Sequence, residues 1–138
     1  RPREVRWTRQ QGRRFDYLHM ALPISRVLEY RRRCQVIMAG TGVRVVEYSI
    51  WSRPELFSMM LVADPADNDE FRNTLGNVVD QILTLAQDMG GTMEYCHGIG
   101  VKLNHLAARE MGLGQDVVRL LKNALDPANV MNPGKLGL

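Results

Sequence analysis

The feature that most constrains this chain is the run from Asn68 to Met89, where Phe71, Leu75, Val78, Val79, Ile82, Leu83, Ala86 and Met89 recur at intervals of three and four. That spacing gathers the apolar side chains on one face of an α-helix. Gly90 and Gly91 stop the run, as glycines past a last helical turn do. Such a helix must lay its stripe on an apolar surface, and the two segments before it supply one. Val43–Trp51 and Glu55–Ala63 are rich in β-branched, aromatic and long apolar residues, and Ser52, Arg53 and Pro54 between them make a short turn that suits an antiparallel pair. Asp64 and Pro65 end the second strand.

Upstream, Phe15–Leu22 alternates Phe15, Tyr17, His19 and Ala21 with Asp16, Leu18, Met20 and Leu22, which predicts a strand with both faces partly covered. Pro23 ends it. Ser25 is placed to cap a helix whose apolar stripe is Val27, Tyr30, Cys34, Ile37 and Met38, with Arg31, Arg32 and Arg33 on its wet side and Gly40 and Gly42 at its end. Strand, helix, strand, strand, helix is the first part of a ferredoxin-like split β-α-β unit, so the expected class is α+β: an antiparallel sheet with helices on one face. After a polar stretch, Thr92–Val101, two further helical segments are expected, Leu103–Met111 and Gln115–Leu125, broken by Gly112 and Gly114. Asp126–Leu138, with two prolines and two glycines, reads as an extended tail.

Composition sets the class of molecule. With 24% charged residues, no apolar run near the roughly 20 residues of a membrane span and no secretion signal, the chain reads as a soluble, cytoplasmic protein. Its two cysteines, Cys34 and Cys96, are 62 positions apart and do not resemble a disulfide framework. The chain opens on Arg1, not Met, and is expected to be a piece of something longer. Six arginines against Glu4 give residues 1–14 a charge of +5 within a net +3, and this arm reads as a basic linker entering the domain of residues 15–138. No nucleic-acid partner is expected.

Three histidines are the candidates for proton chemistry. His19 falls mid-strand, in step with Phe15 and Tyr17, either as a half-buried structural residue or facing a substrate. His105 falls on a helix beside Leu103, Leu106 and Ala107 and reads as surface. His97 lies in Gly90-Gly91-Thr92-Met93-Glu94-Tyr95-Cys96-His97-Gly98-Ile99-Gly100, where glycines bracket a compact run of groups able to carry protons. A histidine titrating near neutrality can act there as acid, base or hydrogen-bond donor, or the run can be a simple Gly-rich turn. Adjacent Cys96 and His97 do not make a metal cage by spacing, so no metal is expected.

Taken together and in order, Gly90-Gly91-Thr92, His97-Gly98-Ile99-Gly100 with Lys102, Leu121-Lys122 with Asp126-Pro127, and Asn132-Pro133-Gly134-Lys135 resemble the end of the FAD-linked oxidase C-terminal domain. Leu22-Pro23-Ile24-Ser25 resembles the stretch that opens the first helix of that domain. The resemblance implies the vanillyl-alcohol oxidase superfamily, with D-lactate and glycolate dehydrogenases and alkyl-dihydroxyacetonephosphate synthase among its members. It implies FAD held mainly by an N-terminal domain outside this chain, which is the expected partner, with a homo-oligomer left open. This domain would cover the flavin and shape the pocket for a small hydroxy-acid, alcohol or phenol-type substrate, and alone it would be inactive. By the same likeness His97 would lie at the flavin and substrate, Gly98 and Gly100 would allow close approach, and Asn132 and Lys135 would meet the flavin domain. The alternatives are an alkyl-dihydroxyacetonephosphate synthase-like flavoprotein and a non-catalytic module that kept the fold.

One departure bears on mechanism. The hydroxy-acid dehydrogenases of this group carry a His-x-Gly-Asp-Gly-Asn-x-His stretch at the second strand and a Glu directly before the His-Gly pair, and these hold a metal. Here the region reads Glu47-Tyr48-Ser49-Ile50-Trp51-Ser52-Arg53-Pro54-Glu55-Leu56-Phe57, and Cys96 stands in place of the Glu. The expectation is a metal-free pocket with Tyr48, Trp51 and Phe57 as aromatic walls and Arg53 for an anionic group.

Overall fold

A computed structural model of the chain describes residues 14–63 and 69–138, so the basic linker and the Asp64-Pro65 strand end lie outside the described residues, apart from Arg14. The chain divides into two compact units, Arg1–Met93 and Glu94–Leu138. The first holds β1 (Arg14–Ala21), α1 (Val27–Met38), β2 (Val43–Ile50), β3 (Leu56–Ala63) and α2 (Asp69–Asp88); the second holds the short α3 (Ala107–Met111) and α4 (Leu113–Leu125). No helix among the described residues is long and apolar enough to cross a membrane.

The first unit is the expected α+β arrangement. Its sheet has the order β1-β3-β2, with both neighbours antiparallel to β3. The sequence Leu-Phe-Ser-Met-Met-Leu-Val-Ala of β3 has almost nothing that demands water, and the strand takes the middle place, buried from Phe57 to Ala63. Beyond the outer edge of β1 the chain returns after α2 and makes a single antiparallel rung, Ala21 opposite Thr92, with the Thr92 N–H donating to the Ala21 carbonyl at 2.8 Å. That rung stands where a complete ferredoxin-like unit has its last strand.

Both helices cover one face of the sheet. Leu18, Met20, Phe57, Met59 and Leu61 meet Val27, Tyr30, Cys34, Ile82 and Leu83 in a buried core. Tyr30 ties its layers together, because its ring stands edge-on to Phe57 at 6.1 Å and its hydroxyl donates to the Ile82 carbonyl at 2.9 Å. A buried phenol needs such a partner. Ser25 does not cap α1 as the sequence suggests. It lies inside a 3-10 turn, Ile24–Arg26, closed by the Arg26 N–H on the Pro23 carbonyl at 2.8 Å, and α1 then starts without a side-chain cap.

A β-bulge decides which side chains face which way. Val43 pairs with Ala63 and Val45 with Leu61, but Glu47, not Val46, comes next, opposite Met60. One extra residue inverts the alternation. Tyr48 and Ile50 thereby join the helix-covered face with Met59 and Phe57, and Glu47, Ser49 and Trp51 turn to the other face, with His19 and Ser58.

In the second unit α4 begins at Leu113, earlier than the glycine-broken pattern predicts, with Gly114 inside it. The tail is tied down more closely than an extended loop. The Asn104 side-chain amide donates to the Gly134 carbonyl at 3.0 Å, the Gln115 amide to the Leu136 carbonyl at 2.9 Å, and the Leu136 N–H to the Gly100 carbonyl at 3.3 Å. The tail ends in a 3-10 turn, Lys135–Gly137.

Candidate functional site

The sheet face away from α1 and α2 carries a polar and aromatic row. In register, Tyr17, Met60 and Glu47 lie side by side, and so do His19, Ser58 and Ser49. The Tyr17 hydroxyl and the Ser49 hydroxyl both donate to Glu47 Oε1, at 3.0 and 2.8 Å. His19 is buried, with the Tyr17 ring edge-on at 4.4 Å and the Trp51 ring tilted against it at 6.2 Å. The Trp51 indole N–H donates to Ser58 Oγ at 2.8 Å; Ser58 has no exposed surface, whereas Trp51 is 46% exposed.

The expected aromatic wall of Tyr48, Trp51 and Phe57 is split by strand alternation, because Tyr48 and Trp51 both lie beyond the bulge and an odd number of residues apart. Tyr48 stacks on Phe57 at 5.9 Å on the helix-covered face, with the Arg31 guanidinium 4.5 Å above the Tyr48 ring. Phe57 is 3% exposed and belongs to the core. Only Trp51 of the three reaches the face that carries His19. Arg53 is exposed in the turn between β2 and β3, where its carbonyl accepts the Leu56 N–H at 3.0 Å.

The loop that carries His97 is organised by a residue the sequence reading passed over. Glu94 Oε1 accepts the backbone N–H of Cys96 at 2.6 Å and of His97 at 2.9 Å, and its Oε2 lies 3.9 Å from His97 Nδ1. The Glu94 side chain is 6% exposed and that of His97 57%. A side chain accepting the N–H groups two and three residues on is the signal of an Asx-like turn, here made by a glutamate. The result is a fixed backbone that presents an exposed imidazole beside a carboxylate. Gly98 has φ +72°, the left-handed region, and nothing lies within 4 Å of where its side chain would begin. It serves the turn's backbone geometry.

Asn132 and Lys135 lie with Gly100 in the tail. They line a cleft of about 470 Å³ with Leu125, Met131 and Leu138. The wall is held by a clamp of Lys122 and Asp126. Lys122 Nζ donates to Asp126 Oδ2 and to the Met131 carbonyl, and the Asp126 carboxylate accepts the N–H groups of Val130 at 3.0 Å and Met131 at 2.9 Å. The Lys122 hydrogen bond holds the Asp126 carboxyl below the usual range; burial opposes that shift and the two N–H groups support it. The Lys-Asp-Pro pattern in the sequence is therefore a tail fastener.

The sequence profile of one family, described as "FAD linked oxidases, C-terminal domain", matches residues 5–136. Among curated proteins, the chain is 30% identical over 125 residues to a D-lactate dehydrogenase of Archaeoglobus fulgidus, a match spanning 88% of this chain and 26% of that protein. It is 38% identical over 81 residues to a probable mitochondrial D-lactate dehydrogenase of Danio rerio, covering 58% of this chain and 16% of the relative. A Bacillus subtilis glycolate oxidase subunit GlcD is 39% identical over 57 residues, 41% of this chain and 12% of its own. The chain thus corresponds to about a quarter of the length of such relatives.

Proposed function

Because the chain belongs to the family of FAD-linked oxidases, as their C-terminal domain, we propose that it is the substrate-side domain of an FAD-dependent oxidoreductase that oxidises the hydroxyl-bearing carbon of a small organic molecule. The FAD would be held mainly by an N-terminal partner domain, and the isolated chain would be inactive. When bound, the flavin supplies the acceptor for the hydride leaving the substrate carbon. His97 takes the hydroxyl proton as the carbonyl forms, and the Glu94 carboxylate 3.9 Å from its Nδ1 steadies the imidazolium that results. The observation that carries this reading is the His97 loop: an exposed imidazole on a backbone pinned by Glu94, within the stretch that also carries Gly98 and Gly100. Arg53, exposed in the β2–β3 turn, is the candidate for an anionic group on the substrate.

The test is stopped-flow reduction of the flavin in the full-length protein. His97→Ala is expected to slow reduction by about 10²- to 10⁴-fold, the usual contribution of a positioned proton acceptor, with little change in a thermal melt. His105→Ala, at an exposed position, serves as the control. An unchanged reduction rate in a well-folded His97→Ala protein overturns the assignment. Calorimetric titration of the isolated chain with FAD checks the division of labour, since stoichiometric sub-micromolar binding would place the cofactor on this domain.

A further inference from the structure

Trp51 and Ser58 stand seven residues apart on either side of the β2–β3 turn, joined by the indole N–H on the serine oxygen at 2.8 Å. Seven is also the separation of the two histidines in the His-x-Gly-Asp-Gly-Asn-x-His stretch of the metal-dependent hydroxy-acid dehydrogenases. The donor set at this turn does not fit a metal. An indole N–H has no lone pair to give, and a neutral serine hydroxyl is a poor ligand for cations that bind through imidazole, thiolate or carboxylate. Ser58 is also fully buried and already accepts the indole hydrogen bond. Of the other groups on this face of the sheet, Glu47 accepts two hydroxyls on one oxygen, and the His19 ring packs against Tyr17 and Trp51.

We infer that the Trp51–Ser58 pair stands in the places of those paired histidines and makes the β2–β3 turn an apolar wall that selects the substrate, instead of a seat for a metal that orients it. Trp51 is the specificity-determining residue. Ser58 is a positioning residue that fixes the indole through its hydrogen bond, and the His19 ring tilted at 37° supports it from within the sheet. About half of the indole is exposed and free to meet a ligand. The substrate class that fits such a wall carries an apolar or aromatic group beside its hydroxyl; a small 2-hydroxy acid gripped by chelation does not need it. The inference rests on the proposed flavin-linked oxidation for its substrate arm only.

Three proteins decide it, each full-length: wild type, Trp51→Ala and Ser58→Ala. Each is dialysed against zinc, freed of excess and subjected to elemental analysis, and flavin reduction is followed with benzyl alcohol and with D-lactate. The metal content is expected to be the same in all three. The preference for benzyl alcohol over D-lactate is expected in wild type and falls by about tenfold or more in Trp51→Ala, the scale of one lost apolar contact. Ser58→Ala lowers it less. Because Ser58 is buried, Trp51→Phe provides a second probe at a half-exposed position: it removes the indole N–H, keeps an aromatic ring, and should retain more of the preference than Trp51→Ala. An equivalent of zinc present in wild type and lost in either alanine variant overturns the inference, as does D-lactate being the faster substrate with a rate that a chelator abolishes. A full-length protein without flavin would sink the proposed oxidation, while the zinc comparison would still judge the turn.

Discussion

The same added methyl group should have opposite effects at two glycines. At Gly91 a Cβ would stand 2.5 Å from the Ala21 carbonyl oxygen, 2.8 Å from Leu22 Cδ2 and 3.0 Å from the Ala86 carbonyl oxygen. Two of these neighbours are backbone oxygens that already accept hydrogen bonds: Ala21 from Thr92 and Ala86 from Gly91, both at 2.8 Å. The backbone must shift, and at least one of those bonds is weakened. Overpacking of this kind costs about 1–3 kcal/mol and a weakened hydrogen bond about 1 kcal/mol more, so Gly91→Ala should destabilise by about 2–4 kcal/mol. Gly76 lies exposed in α2 with nothing within 4 Å of its missing side chain. There alanine should stabilise by about 1 kcal/mol, its advantage over glycine in a helix interior. Urea unfolding followed by far-ultraviolet circular dichroism measures both, provided the m-values agree. A Gly91→Ala protein within about 0.5 kcal/mol of wild type, the scatter of neutral surface changes, would refute the close-approach reasoning.

Two further outcomes follow from titratable groups. The Asp126 carboxyl is held below its ordinary range by Lys122, so its contribution is complete above the unfolded Asp pKa of about 3.9 and is lost as the pH falls through the lower folded value. Asp126→Asn should therefore lower the melting temperature at neutral pH and much less in strong acid; an equal loss at both would show that the charge is not what Asp126 contributes. Burial pushes the Cys34 thiol up to about 12, whereas Cys96 is exposed. Ellman's reagent should thus find one fast thiol in the native protein and a second only on unfolding; two fast thiols would refute the packing of Cys34 against Tyr30.

The periodic elements were legible because burial is what writes a period into a sequence. The stripe from Leu75 to Met89 gives α2, and the doubly apolar Leu56–Ala63 gives a central strand, as the structure shows. The site was less legible, for a reason visible at Val46. A bulge leaves no compositional mark, so an unbroken alternation from Val43 and Val45 would put Glu47 on the helix-covered face and Tyr48 on the other, while the extra residue exchanges them. Glu94 was passed over because its work is done on backbone N–H groups two and three positions on, a local geometry that residue type alone does not announce. Asp126 and Lys122 were recognisable as a motif, but only the contacts reveal that they fasten the tail.

The bulge also sets what a deletion in β2 would do. Substitution can change what Glu47, Ser49 or Trp51 is, but not where it points. Deleting Val46 would take out the extra residue and leave a regular ladder: Val45 stays opposite Leu61 and Glu47 opposite Met60, so Tyr48 and Ile50 keep the helix-covered face and Glu47 and Ser49 keep the face of His19. The polar face thus rests on the register with β3, and what the deletion would remove is the local bend and added twist of the strand.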